Sequence, residues 1–93
     1  MSTLPLKNKL ALVTGGSGDI GGAIARRLAQ AGAAVIVTYV GAKDSAEAVV
    51  RDIEQAGGQG DCRQLVQRDP AAIESLMQEI AEHWQQLDIL INN

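Results

Sequence analysis

The chain has 93 residues, enough for one small domain. Its residues are 46% hydrophobic and 20% charged, and with Tyr39 and Trp84 as the only aromatics the core is left to Ala, Val, Ile and Leu. A net charge of -3, with Arg26-Arg27 as the only basic doublet, argues against nucleic acid, whose binders neutralise phosphates with basic patches.

Lys9 to Thr14 (KLALVT) is a short apolar run closed by glycines and predicts a buried strand. Apolar residues at Ile20, Ala23, Ile24, Leu28 and Ala31 follow with helical spacing, and Gly32 ends that helix. Ala34 to Thr38 (AVIVT) predicts a second buried strand. Ala46, Val49, Val50 and Ile53 mark a second helix, closed by Gly57 and Gly58. A weaker third strand is expected from Cys62 to Val66. Asp69-Pro70 starts a third helix, with Asp as cap and Pro in the first turn, and Ile73, Leu76, Met77, Ile80 and Trp84 share one of its faces. Leu87 to Ile91 (LDILI) is the fourth strand. Apolar strands alternating with amphipathic helices imply an α/β fold, a parallel sheet covered on both sides by right-handed crossovers. No linker or repeat divides residues 1–93.

The one cysteine, Cys62, has no partner for an internal disulfide and fits a reducing cytoplasm. The N-terminus carries no signal-peptide pattern, and no stretch approaches the roughly 18 apolar residues of a membrane span. The expectation is a cytoplasmic protein with neither nucleic acid nor membrane as partner.

Four glycines (Gly15, Gly16, Gly18 and Gly21) crowd the connection between the first strand and the first helix. A strand feeding a helix through such a loop makes an anion site, because the helix N-terminus offers unpaired N–H groups and partial positive charge. Glycines let the backbone approach a pyrophosphate closely. That placement, more than the glycine pattern itself, carries the dinucleotide reading.

Thr14-Gly15-Gly16-Ser17-Gly18-Asp19-Ile20-Gly21 resembles the Thr-Gly-x-x-x-Gly-x-Gly loop of the short-chain dehydrogenase/reductase family, matching at Thr14, Gly15, Ile20 and Gly21. Leu87-Asp88-Ile89-Leu90-Ile91-Asn92-Asn93 resembles that family's fourth strand running into its Asn-Asn-Ala-Gly motif. The resemblance covers essentially the whole chain, and in general character the chain is similar to bacterial 3-oxoacyl-acyl-carrier-protein reductases and their many relatives. It implies a Rossmann-type doubly wound sheet, here partial, with four strands in the order 3-2-1-4 and three helices. It also implies an NAD(P)-dependent oxidoreductase acting on a carbonyl or alcohol, possibly a 3-oxoacyl thioester. The implied cofactor contacts are Gly15, Ser17, Gly18, Asp19, Ile20 and Gly21 for the pyrophosphate, Tyr39 and Lys43 for the ribose, and Val66 for the adenine. Asn92 and Asn93 either contact the ribose or tie neighbouring strands together.

Three positions depart from the family pattern. Asp19 stands where the loop's middle glycine is expected, and its carboxylate would repel a pyrophosphate. Gly15, Gly18 and Gly21 also spell Gly-x-x-Gly-x-x-Gly, as in the family's extended, epimerase-like branch, a register in which Asp19 turns outward. Val66 replaces an adenine-binding Asp. Tyr39, followed by Val40 and Gly41, replaces the carboxylate that would hold the ribose 2'-hydroxyl of NAD. With Lys43 nearby as a cation this favours NADP over NAD, although Gly18 occupies a loop position where NADP users often carry a basic residue.

In the family a tyrosine, a lysine and a serine beyond the Asn-Asn-Ala-Gly motif carry proton transfer. Residues 1–93 therefore read as the cofactor-binding half, truncated before the catalytic half, and no residue here is assigned a catalytic role. Tyr39 and Lys43 spell Tyr-x-x-x-Lys, but at a strand end and not on a helix face, so the match is read as coincidence. His83 suits the negative end of the third helix, Cys62 and Trp84 are read as packing residues, and no metal ligand set is present. The strand edge at 87–91 is expected to be open and to promote self-association or a homo-oligomer. Two other readings stay open: a non-catalytic dinucleotide-binding or interaction module, which Asp19 and Val66 favour, and an extended-family enzyme acting on nucleotide sugars.

Overall fold

The computed structural model describes residues 4–66 and 68–93. Seven elements follow in chain order: β1 (Leu10–Thr14), α1 (Asp19–Gln30), β2 (Ala34–Tyr39), α2 (Lys43–Gln55), β3 (Gln59–Gln64), α3 (Pro70–His83) and β4 (Ile89–Asn92). The strands form one sheet in the order β3-β2-β1-β4, and every neighbouring pair is parallel.

The alternation of side chains along each strand builds two cores. Ala11, Val13, Val35 and Val37 point to one face and pack with Ala25 of α1 and Ala46, Val49 and Ile53 of α2. Leu10, Leu12 and Ile36 point to the other and pack with Leu65 and with Leu76 and Ile80 of α3. The register keeps each set together, since Ala11 lies beside Val35 and Leu12 beside Ile36. All five residues of β1 are buried, as expected of a strand flanked on both edges and covered on both faces. Full burial of a side chain such as Leu12 contributes roughly 1.5–3 kcal/mol relative to exposure.

Four expectations shift. The buried face of α1 is Gly21, Gly22 and Ala25, with Ile24 and Leu28 packed beside it, whereas Ile20 is 70% exposed. A Cβ on Gly21 would strike the Gly15 carbonyl oxygen and one on Gly22 would crowd Val49 of α2, so this face of α1 admits only small residues, and Ile20 and Ala23 lie outside it. Strand β3 runs Gln59–Gln64 and not Cys62–Val66. Its position is set by main-chain pairing with all six residues of β2, and as an edge strand it accommodates a polar sequence that hides it from a hydropathy search. Strand β4 begins at Ile89, because the Asp88 carboxylate takes the Leu10 N–H at 2.8 Å in place of a main-chain carbonyl. On α3, Leu76 and Ile80 are buried and Trp84 packs at the core edge, but Ile73 and Met77 stay exposed at the rim.

Asp69 caps α3 as its position predicts, its Oδ1 accepting from the N–H groups of Ala71 at 3.0 Å and Ala72 at 3.4 Å. A second polar device fastens α3 to the sheet. Arg63 of β3 donates from Nε and Nη2 to the Glu79 carboxylate, at distances of 2.8–3.1 Å, and Nη1 reaches Asp61 at 2.8 Å. The hydrogen bonds from Arg63 hold the Glu79 carboxyl below the usual carboxylate range. Both partners are about one-third exposed, so solvent screens part of the attraction. We expect Glu79→Gln to cost about 1 kcal/mol at neutral pH. The contribution of Glu79 is present above its unfolded pKa and is lost as the pH falls through its lowered folded value. Urea unfolding of both proteins should therefore show a gap at pH 7 that closes toward about pH 3.

Candidate dinucleotide-binding site

The loop after β1 is shaped by three close approaches. Gly15 has φ +67°, a left-handed conformation that glycine takes without steric cost. Its N–H donates to Thr38 Oγ1 at 3.2 Å, and the Gly16 N–H donates to the Thr38 carbonyl at 3.1 Å, which ties the loop to the end of β2. A Cβ on Gly16 would fall 2.6 Å from the Val37 side chain. A Cβ on Gly21 would run into the Gly15 carbonyl oxygen and lie 2.9 Å from Asn93 Nδ2.

Gly18 is different, since a Cβ there would meet only the Gly15 oxygen at 3.7 Å. It is the N-cap of α1 and supplies no side chain to the first turn. The first-turn N–H groups at Asp19, Ile20 and Gly21 have no acceptor within the helix, and they stand at its positive end. The exposed surface at Gly18 and the uncapped turn behind it form a cradle suited to a pyrophosphate. Asp19 and Ile20 are exposed at its mouth, Ser17 is half-buried beside it, and Asp19 is the one acidic residue in the turn.

Thr14 is the hub that joins this loop to β4. Its hydroxyl donates to Asn92 Oδ1 at 3.1 Å, lies 3.3 Å from the Ile91 carbonyl, and accepts the Asn93 N–H at 3.1 Å. Asn93 Nδ2 in turn donates to the Gly15 carbonyl at 3.4 Å. Of the two roles open for Asn92 and Asn93, strand tying is what these bonds perform.

A cleft of about 350 Å3 opens at the C-terminal ends of the strands and brings together Gly15, Ser17, Tyr39 and Asn93, with Thr38 and Leu65 in its walls. Tyr39 ends β2, and Lys43 is the exposed first residue of α2, across the three-residue turn Val40-Gly41-Ala42. The Tyr39/Lys43 pair thus straddles a strand end and a helix start. Val66 is exposed just past Leu65, outside the residues that line the cleft. A larger groove of about 720 Å3 lies at the opposite ends of β2 and β3, against Gly32, Gly57 and Gly58. It has no helix N-terminus, and its one charged pair, Arg26 and Asp52, is already bonded at 2.9 Å, so the smaller cleft is the better candidate.

The remaining reactive side chains stay apart from this site. Burial, then the nearby Asp61 and Glu47 carboxylates, pushes the Cys62 thiol up and keeps it protonated, which fits a packing role. His83 ends α3 and stacks edge-on against Trp84 at 5.9 Å. Among the described residues no cluster of His, Cys, Asp or Glu is placed to hold a metal, and no helix is long and apolar enough to cross a membrane.

Residues 9–93 match the family described as short chain dehydrogenase. The chain belongs to that family. It is 40% identical over 86 residues to the 3-oxoacyl-acyl-carrier-protein reductase of Staphylococcus epidermidis, covering 92% of this chain and 35% of the relative. A dehydrogenase/reductase from Sinorhizobium meliloti superposes with a TM-score of 0.91 at 51% identity, covering 97% of this chain and 36% of that one. A short-chain dehydrogenase from Burkholderia cenocepacia, solved in complex with NADP, superposes at 0.87 with 46% identity and covers 95% and 36%. The chain spans about a third of the length of these relatives.

The short-chain dehydrogenase loop owes part of its shape to residues that a glycine count passes over. Thr38 holds two successive loop N–H groups, and Gly16 is fixed by Val37. The sequence signal for Thr38 is faint, a lone buried hydroxyl at the end of a β-branched strand. We expect Gly21→Ala to destabilise the fold by about 2 kcal/mol or more, through overpacking against backbone that has nowhere to move. Gly18→Ala, at an unstrained φ of -78°, should stay within about 0.5 kcal/mol of the parent in thermal unfolding.

Proposed function

We propose that this chain holds the adenosine and pyrophosphate portions of NADP(H) for an oxidoreductase that moves a hydride between the nicotinamide and a carbonyl or alcohol carbon. The observation that carries the reading is the uncapped first turn of α1 behind the open face of Gly18. When bound, the dinucleotide supplies the hydride chemistry. The chain's own residues do the positioning. N–H groups of Asp19 to Gly21 bind the pyrophosphate, Gly15 and Ser17 border it, and Ile20 shields the cradle's mouth. The adenosine lies in the cleft against Tyr39, with Val66 at its outer end.

NADP is favoured over NAD because Tyr39, Val40, Gly41 and Ala42 offer no carboxylate to a 2'-hydroxyl, while Lys43 offers a cation to a 2'-phosphate. Support comes also from the Burkholderia relative, whose complex contains NADP. A 3-oxoacyl thioester is the substrate class supported by the Staphylococcus relative. Proton transfer is not assigned to any residue of this chain.

Equilibrium titration of the chain with NADP and with NAD tests the reading. NADP should bind at least about fivefold tighter, and Lys43→Ala should reduce that preference while leaving NAD affinity unchanged within about twofold, since a screened surface charge contributes about 1 kcal/mol or less. Asp19→Gly should tighten both cofactors equally, by about two- to fivefold, because it removes a carboxylate from the anion site. Absence of binding by either dinucleotide would overturn the proposal.

A further inference from the structure

The main-chain ladder between β2 and β3 ends where the Leu65 N–H donates to the Tyr39 carbonyl at 2.8 Å. The next carbonyl, that of Val40, leaves the sheet with the turn toward α2 and has no strand beside it. It is taken instead by a side chain, Gln64 Nε2, at 2.9 Å. Gln64 lies opposite Tyr39 in the β2–β3 register, so its amide adds one more rung beyond the last main-chain pair.

The turn held this way has little else to fix it. Gly41 has open space where a Cβ would be, and a glycine so placed leaves the backbone free to move. Ala42, the N-cap of α2, makes no side-chain cap bond, so the first N–H groups of that 13-residue helix depend on the turn for their direction. Val40 is 61% exposed and contributes almost no packing. Between Tyr39 and Lys43, Gln64 supplies the one side-chain bond to this turn among the described residues.

We propose that Gln64 is a positioning residue that sets the NADP preference, by locking the Val40–Ala42 turn so that the start of α2 and Lys43 converge on the 2'-phosphate. This rests on the proposed dinucleotide function. The effect is selective because a 2'-hydroxyl finds no carboxylate in the turn and gains little from its order, whereas a phosphate needs several donors aimed at one point. An exposed hydrogen bond has a small net value, so the expected change is also small.

Gln64→Met keeps the length of the side chain and removes its donor. Titrations of the full chain should show NADP affinity falling about two- to fivefold, the range of one modest hydrogen bond, with NAD changed by less than that. The NADP-to-NAD ratio is the deciding quantity. An unchanged ratio, or an equal loss for both cofactors, overturns the role of Gln64 while leaving the dinucleotide function standing. Failure of the parent chain to bind either cofactor overturns both. Should Gln64→Met not fold, Gln64→Ala removes the same donor and is read by the same NADP-to-NAD ratio, with the same outcome overturning the proposal.

Discussion

Between the end of β1 and the first turn of α1 there is no room for a side chain at either of two positions, and most of the architecture around the cleft follows from that closeness. The chain leaves a fully buried strand at Thr14 and must re-enter as a helix lying over the same sheet within a few residues. Gly16 has to clear Val37, and Gly21 has to clear the Gly15 carbonyl. Drawn in this far, α1 presents Gly21, Gly22 and Ala25 to the sheet, and its larger residues, Ile24 and Leu28, pack beside the contact and not within it. Gly18, the N-cap, has no side chain to bond the first turn, and a Cβ there would meet only the Gly15 oxygen at 3.7 Å. Steric necessity at Gly16 and Gly21 and openness at Gly18 are two outcomes of one backbone path.

Where the regular ladder runs out, side chains complete it. Asp88 accepts the Leu10 N–H before β4 begins, Thr38 accepts the Gly15 N–H just past the end of β1, and Gln64 donates to Val40 beyond the last rung of β3. Thr14 and Asn93 join β1 to β4 at the rim of the cleft in the same manner. At the part-buried N–H groups of Leu10 and Gly15 an unpaired main-chain group costs roughly 1–3 kcal/mol, which is enough to favour a polar side chain there. These residues also determine the loops' positions, so main-chain satisfaction and site geometry are linked through the same atoms.

The parts of the fold legible in the sequence were those governed by hydrophobic periodicity and by steric exclusion. Alternation in LALVT and AVIVT gives two sheet faces, and both proved buried. Asp69-Pro70 marks a helix start because the cap and the first-turn proline act locally. The glycine loop is legible for a similar reason, as its constraint lies within eight residues of chain. Hydropathy places the third strand too late in the chain because edge strands carry no hydropathy requirement, and the register of β3 is imposed by β2. The exposure of Ile20 and the work of Thr38 and Gln64 were hidden because each depends on a segment distant in sequence. Helical spacing places Ile20 on a stripe with Ile24, yet only Ile24 packs beside the Gly21, Gly22 and Ala25 contact, while Ile20, in the first turn, stays 70% exposed.

The charges around the cleft act on different parts of the proposed ligand, and this makes their effects separable. Asp19 stands at the N-terminus of α1, where any dinucleotide would bring its pyrophosphate. In that binding mode its carboxylate would oppose NAD and NADP alike, since both carry that group. The turn held by Gln64 walls the other side of the cleft after Tyr39, and Lys43 follows it just outside the lining, where the proposed binding mode puts the 2'-phosphate that distinguishes the two cofactors. In the proposed binding mode overall affinity is therefore governed at the start of α1 and selectivity at the start of α2. The sheet order places β2 beside β1, so these two helix starts flank one cleft. On the proposed reading a carboxylate in the glycine loop is tolerable, because weaker binding common to both cofactors would leave the choice between them intact.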